Sequence, residues 1–261
     1  MSRFKAVVFD WAGTVVDFGS FAPMGVFLEA FRRFDVEATI AEARAPMGTP
    51  KRDHIRAMIT APRLAAEWAR VHGAEPDEAD VDRVYEVFVP MNERVVAEYA
   101  TLVPGAREAV ARLRRMGLKI GSTTGYTRSI MENVFPVAAA QGYVPDTCVC
   151  SDDLPEGRPG PLQMYQCFID LLVWPAASVV KVDDTPPGIA EGVHAGCLTV
   201  GVALSGNIVG RTPQELAALS SEEKHQLRAE ATQVLRAAGA HHVIDTVADL
   251  PALLSQLDAS G

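Results

Sequence analysis

Six short apolar runs constrain this chain most: residues 5–9 (KAVVF), 118–123 (LKIGST), 147–151 (TCVCS), 178–182 (SVVKV), 197–202 (CLTVGV) and 241–244 (HHVI). The first stops abruptly at Asp10, and helical patterns fill the gaps between runs. In 105–116, Ala109, Val110 and Leu113 share one face, Arg112, Arg114 and Arg115 lie elsewhere, and Gly117 follows where a helix C-terminal glycine belongs. Strands alternating with helices predict an α/β fold, a doubly wound parallel sheet of Rossmann-like form with helices on both faces.

The stretch 19–100 breaks that alternation. It holds no convincing strand, only helical patterns around 23–34, 50–60, 62–72 and 77–99; in the last, Val84, Val87, Phe88, Met91 and Val95 form one apolar stripe suited to packing. The expected organisation is a core of residues 1–18 and 101–261 with an all-helical cap domain, 19–100, inserted after the first strand. Beyond the core strands, Thr212-Pro213 reads as a helix start and Ser220 with Glu223 as a capping box.

The 261 residues are 48% hydrophobic, enough for a sizeable core without staples. With 24 basic against 33 acidic side chains the net charge is -9, which argues against a broad grip on nucleic acid or an anionic membrane. Any anionic ligand must be held locally. Cys148, Cys150, Cys167 and Cys197 form no CxxC pair and have no histidine at zinc spacing, the pattern of reduced thiols. The apolar run before Asp10 is too short for a signal peptide, and the segment from Leu171 to Val180 is broken by Pro175. A cytoplasmic protein is expected.

Ligands of open parallel sheets bind beyond the carboxyl ends of the strands. There the chain places Asp10-Trp11-Ala12-Gly13-Thr14, Thr124-Gly125-Tyr126, Arg158-Pro159 and Val182-Asp183-Asp184-Thr185. Singly, each is an ordinary cap, turn or solvated charge. Together, in this order and at successive strand ends, they resemble the four motifs of the haloacid dehalogenase superfamily. The resemblance implies that Asp10 is a nucleophile toward phosphorus and that Thr124 and Arg158 hold phosphoryl oxygens. It further implies that Mg2+ is bound by the carboxylates of Asp10 and Asp184 and the carbonyl of Ala12. Two carboxylates suit magnesium, which takes oxygen ligands and completes its shell with water and substrate. Gly188 stands where relatives carry a further acidic residue, which makes Asp183 the expected partner behind the metal.

Ala12 is the discriminating residue. Phosphatases of that superfamily carry an aspartate there to protonate the departing alcohol, and its loss forfeits roughly 10²–10⁴-fold of general acid catalysis. Either the protein is catalytically dead, or its leaving group needs no proton from that position. In the predicted cap, Thr49-Pro50 starts a helix with Lys51 in its first turn and His54 one turn on, on nearly the same face. The positive helix N-terminus, Arg52 and any burial all lower the basicity of Lys51. A single first-turn lysine is by itself ordinary surface.

FDWAGTVVDFGSFAP, ARAPMGTPKRDHIRAM, APRLAAEW, IGSTTGYTR, PEGRPGP and VKVDDTPPGIAEGVHAG together are similar to the phosphonoacetaldehyde hydrolases, along nearly the whole chain. That resemblance implies a Schiff base between Lys51 and the substrate aldehyde, a small phosphonate substrate, Mg2+, and a homodimer formed through the cap. Met47, Lys51 and His54 match cap positions of the family, and Gly125 and Tyr126 match the facing core loop. His54 is the expected proton carrier, and Ser20 replaces a cysteine found in some relatives. Trp68 serves either a dimer contact or the internal core. The alternatives are a phosphate monoester hydrolase or phosphomutase of the same superfamily, and a non-catalytic phosphoryl-binding protein.

Overall fold

All six apolar runs pair as strands of one sheet in the computed structural model, which describes residues 2–260. They are β1 (Ala6–Phe9), β2 (Lys119–Thr123), β3 (Thr147–Val149), β4 (Val179–Asp183), β5 (Leu198–Val202) and β6 (His242–Ile244). Every pairing is parallel, in the order β3-β2-β1-β4-β5-β6, with Ala6 of β1 level with Lys119 and Val179. The two-residue period of a strand sends Val7 and Phe9 into one hydrophobic layer and Ala6 and Val8 into the opposite one. Between β1 and β4 the strand order reverses. That reversal opens a crevice above the carboxyl ends of these two strands, and Asp10 and Asp183 stand at it.

Between β1 and β2 run α1 (Ala22–Arg32), α2 (Ile40–Arg44), α3 (Lys51–Ile59), α4 (Pro62–His72), α5 (Glu78–Val95) and, joining β2, α6 (Ala106–Arg115). Helices α1 to α5 enclose a hydrophobic core of their own, around Phe27, Phe31, Ile55, Leu64, Val84 and Phe88. We propose residues 19–100 as the inserted cap on that ground, although at its edges Ala22, Val96 and Ala100 pack into the hydrophobic cluster of the sheet. Trp68, 1% exposed, belongs to this interior and is no surface contact. The pattern read over 77–99 divides: α5 starts at a capping box between Asp77 and Asp80, ends at Val95, and continues as a 3-10 turn, Val96–Tyr99. Five-residue α2, capped by Thr39, is too short to show a period.

The remaining helices are α7 (Arg128–Ala140), α8 (Leu162–Leu171), α9 (Pro186–His194), α10 (Pro213–Ala218), α11 (Ser221–Ala237) and α12 (Leu250–Ala259). The sheet and its flanking helices are the α/β architecture expected from the apolar runs. Among the described residues no helix is long and apolar enough to cross a membrane.

The cap lies flush on the core. A Cβ at Gly125 would come within 2.7 Å of the Thr49 carbonyl oxygen, and one at Gly157 within 2.7 Å of the Pro50 ring. Gly48, at φ +93°, has no room for a side chain beside Thr185. These three glycines let the loop before α3 rest on the core loops, and so hold the first turn of α3 over the strand ends.

Candidate active site

One cleft between cap and core is lined by Asp10, Ala12, Ser20, Met47, Gly48, Lys51, Thr124, Gly125, Tyr126, Arg158 and Thr185. Every substrate-binding position expected from the sequence is in it, drawn from β1, β2, the loop before α8 and the cap. His54 is not among the described residues that line it. Asp183 and Asp184 lie just beneath, where one carboxylate oxygen from each comes within 4.8 Å of the others and of Asp10.

The electrostatics of these three acids differ. Burial first, then the Asp183 charge, raises Asp10 to about 7 against the pull of Arg158 and Lys181. Asp184 is likewise driven well above the carboxylate range by burial and by Asp10. Its partners are neutral donors: the Thr14 hydroxyl at 3.1 Å and the Asn207 N–H at 2.7 Å. Burial works to raise Asp183 too, yet Arg158 and Lys181 outweigh it and hold this acid low. The side chain of Asp183 meets Arg158 at 3.3 Å and Lys181 at 3.1 Å, and accepts from the Thr185 hydroxyl at 2.7 Å. Among the described residues Asp184 therefore has no cation beside it, and Asp10 has only Arg158, which does not offset its burial and the Asp183 charge. The hard oxygen donors of Asp10 and Asp184 fit a divalent cation, with Asp183 already engaged by the protein's own cations. Gly188 has a packing reason: any Cβ there would overlap the Asp183 carboxylate.

Arg158 is held on all sides. Its Nη1 pairs with Asp10 at 2.9 Å, Nε with Glu191 at 3.1 Å, and Nη2 donates to the carbonyl and hydroxyl of Thr123, both at 2.9 Å. Lys181, fully buried within β4, pairs with Glu191 at 2.8 Å and donates to the Thr123 hydroxyl at 2.6 Å. Lys181, Glu191 and Thr123 were not singled out in the sequence. The usable signal was a lysine in the middle of an apolar strand run, because a cation there must be paired.

Lys51 opens α3 directly after its N-cap, Pro50. Its side chain is 4% exposed, with Nζ 4.7 Å from the centre of the Tyr126 ring and 5.8 Å from that of Phe27. Among the described residues no oxygen accepts a hydrogen bond from Nζ, and aromatic faces are its main company. Burial lowers its pKa to about 8, with Asp10 opposing and Arg158 assisting. Arg52 has a different part from the one expected. It follows Lys51 by about 100° around the helix and points away, paired with Asp82 at 2.6 Å and Glu78 at 2.8 Å.

His54 sits behind Lys51, stacked on Phe27 with ring centres 4.0 Å apart. Its Nε2 is 2.8 Å from the Ala43 carbonyl, which only accepts, so Nε2 carries the hydrogen and Nδ1 the lone pair. Nδ1 is buried without a partner, and burial together with Lys51 keeps the ring neutral. Ser20, at φ 55°, lines the cleft, and the Tyr126 hydroxyl is buried without a partner.

Comparison with known proteins agrees with this architecture. The family profile of haloacid dehalogenase-like hydrolases matches residues 4–196. Phosphonoacetaldehyde hydrolase of Paraburkholderia phytofirmans is 51% identical over 259 residues, covering 99% of this chain and 97% of the relative. The enzyme of the same name from Klebsiella pneumoniae is 47% identical over 261 residues, with 99% and 97% covered. The crystal structure of a phosphonoacetaldehyde hydrolase-like protein from Oleispira antarctica superposes with a TM-score of 0.96 at 42% identity, covering 98% of this chain and 93% of that one. A fold shared this closely, with identity near one half over the full length of curated relatives, makes the chain an enzyme that belongs to the phosphonoacetaldehyde hydrolase family of haloacid dehalogenase-like hydrolases.

Proposed function

We propose that the enzyme hydrolyses the carbon–phosphorus bond of phosphonoacetaldehyde to acetaldehyde and phosphate through an imine on Lys51 and a phosphoryl group on Asp10. The observation that carries this reading is the buried Lys51 amine, held against Tyr126 in the same cleft as the Asp10 carboxylate. Asp10 is also the one carboxylate among the described residues lining the cleft. A phosphate monoester hydrolase would find no acid there for its leaving alcohol, since Ala12 has none to offer.

Neutral Lys51 adds to the aldehyde carbon and, with loss of water, forms an iminium. His54 is our candidate for relaying protons at the Lys51 nitrogen: its Nδ1 lone pair has no other partner, and a ring this weakly basic passes a proton on and does not keep it. Asp10 then attacks phosphorus, and the electrons of the breaking bond flow into the iminium and leave an enamine on Lys51. Arg158 Nη1 and the Thr124 hydroxyl face the phosphoryl oxygens. Tyr126 lends its ring face to the cationic nitrogen. Water cleaves the aspartyl phosphate; protonation of the enamine carbon and addition of a second water release acetaldehyde. One water is consumed overall, because imine formation returns the other. When bound by Asp10, Asp184 and the Ala12 carbonyl, Mg2+ supplies positive charge that lets a carboxylate approach an anionic phosphoryl group. Gly125 and Met47 line the cleft from the core and the cap respectively.

The amine must be neutral to condense. With its pKa lowered to about 8, kcat/KM is expected to rise with pH as the ammonium is lost and to level off above about pH 8. Coupled detection of acetaldehyde and phosphate from about pH 6 to about pH 10, a range that brackets the lowered value near 8 and ends below the reference lysine value near 10.4, tests this. A profile flat through pH 8, or release of phosphate from simple esters without acetaldehyde, would contradict the reading. The same proposal includes a homodimer through the cap, supported by the half-exposed ridge of Met91, Val95 and Tyr99 beside α1. Sedimentation at twice the 28.0 kDa chain mass is expected, and a monomer would refute it. Four free cysteines suit the reducing cytoplasm proposed as its location.

A further inference from the structure

The loop after β5 contacts the Asp10–Thr14 turn, the chain entering the cap, the cap itself and Asp184, without lining the cleft. The Ser205 hydroxyl donates to the carbonyl of Gly13 at 2.8 Å, and its own carbonyl accepts from the Gly19 N–H at 2.8 Å, where the chain leaves the core for the cap. Asn207 donates its backbone N–H to Asp184 Oδ2 at 2.7 Å. Gly206 lies so close that a Cβ there would come within 2.6 Å of the Asp184 Cβ.

The far side of this loop grips the cap. Arg44, the last residue of α2, directs Nη1 at three acceptors: the Gly19 carbonyl at 2.9 Å, the Asn207 carbonyl at 3.1 Å and the Asn207 side-chain oxygen at 2.9 Å. Asn207 Nδ2 answers with a bond to the Arg44 carbonyl at 3.3 Å. Gly210, at φ +56°, leaves room for the guanidinium, since a Cβ would come within 2.6 Å of Cζ, and Phe21 packs 5.1 Å from it. A cap residue and the Asp184 carboxylate are thus bonded to one and the same residue, from its opposite sides.

We propose that Arg44 and Asn207 are positioning residues through which seating of the cap orients Asp184, so that cap closure and divalent-metal binding reinforce one another. The inference rests on the reading that Asp184 holds the metal. Lifting Arg44 away releases both Asn207 oxygens, and the Asn207 N–H loses the anchor that aims it at Asp184. Linkage is reciprocal: a cap that tightens the metal is itself tightened by the metal, by the same factor. Groups that orient a metal's carboxylate from outside typically change affinity by about 10-fold to 100-fold when removed.

The test measures Mn2+ binding to the metal-free full-length protein by electron paramagnetic resonance, for wild type, Asp184→Asn, Arg44→Ala, Asn207→Ala and the double variant. Loss of binding in Asp184→Asn, with affinity about 10-fold weaker in both single variants and no weaker in the double, supports the coupling. Hydrogen exchange should slow on adding Mn2+ in α2 and α3 of wild type and stay unchanged in Arg44→Ala. Undiminished Mn2+ binding by Asp184→Asn would refute the metal reading and the coupling with it. Affinity within about twofold of wild type in the single variants, with Asp184→Asn still defective, would overturn the coupling alone. Should Arg44→Ala fail to fold, Asn207→Ala decides by itself, because it removes side-chain bonds and leaves the backbone N–H in place.

Discussion

Replacing Lys51 by arginine is expected to abolish carbon–phosphorus cleavage, lowering kcat/KM by on the order of 10⁴-fold or more, the scale of losing a covalent catalytic group. Arginine keeps the positive charge and stacks on an aromatic face as well as lysine does, so the contact with Tyr126 survives. A guanidinium stays protonated at any working pH and cannot form an imine. Without an imine the electrons of the breaking bond would have to leave as a carbanion, and no residue lining the cleft is placed to receive them. Steady-state assay of acetaldehyde, with a melting curve to establish that Lys51→Arg folds, measures the effect. Residual turnover above about one per cent of wild type would mean that the amine is not a covalent participant.

Asp10→Asn is expected to cost a comparable factor, on the order of 10⁴-fold in kcat, because a neutral amide is a poor nucleophile toward phosphorus. Its other effects separate chemistry from folding. Asp10 is raised to about 7 by burial and then by the Asp183 charge, so removing its charge relieves both, and the melting temperature of metal-free protein should not fall at or above neutral pH. Imine formation precedes phosphorus attack in the proposed order. Asp10→Asn should therefore still give an adduct on Lys51 when substrate and borohydride are added together, whereas Lys51→Arg should give none. An Asp10→Asn protein that releases acetaldehyde at near the wild-type rate would remove the carboxylate from the mechanism.

Much of the fold could be read along the chain because its signals are local. Each apolar run became a strand, Asp10 stops β1 where the sheet needs a crevice, and Lys51 takes the first turn of α3 as Thr49-Pro50 foretold. Even there, the start signal acts through the Pro50 backbone, since the Thr49 hydroxyl turns back to the Pro46 carbonyl. What escaped the sequence depends on contacts between distant segments. The buried charges of Lys181 and Glu191 sit on neighbouring elements that only the folded sheet brings to 2.8 Å. Arg44 and Asn207 meet across 163 positions and carry no motif. Direction around a helix was the other blind spot. Arg52 faces solvent and its own acidic partners, so the like charge that lowers Lys51 comes from Arg158. His54 keeps its predicted face yet packs behind the lysine, against Phe27 and the Ala43 carbonyl, where its lone pair and not its charge is what it can contribute.

The cleft joins two groups that ordinary phosphatases do not combine: a carboxylate without a companion acid, and a buried amine of lowered basicity seated on an aromatic ring. The proposed chemistry, displacement at phosphorus with carbon as the leaving atom, uses both. The most direct measurement is reductive trapping. Wild-type enzyme incubated with phosphonoacetaldehyde and borohydride should lose activity irreversibly, and the peptide containing Lys51 should gain the mass of a reduced two-carbon adduct; full activity with unmodified Lys51 after the same treatment would contradict the account at its centre.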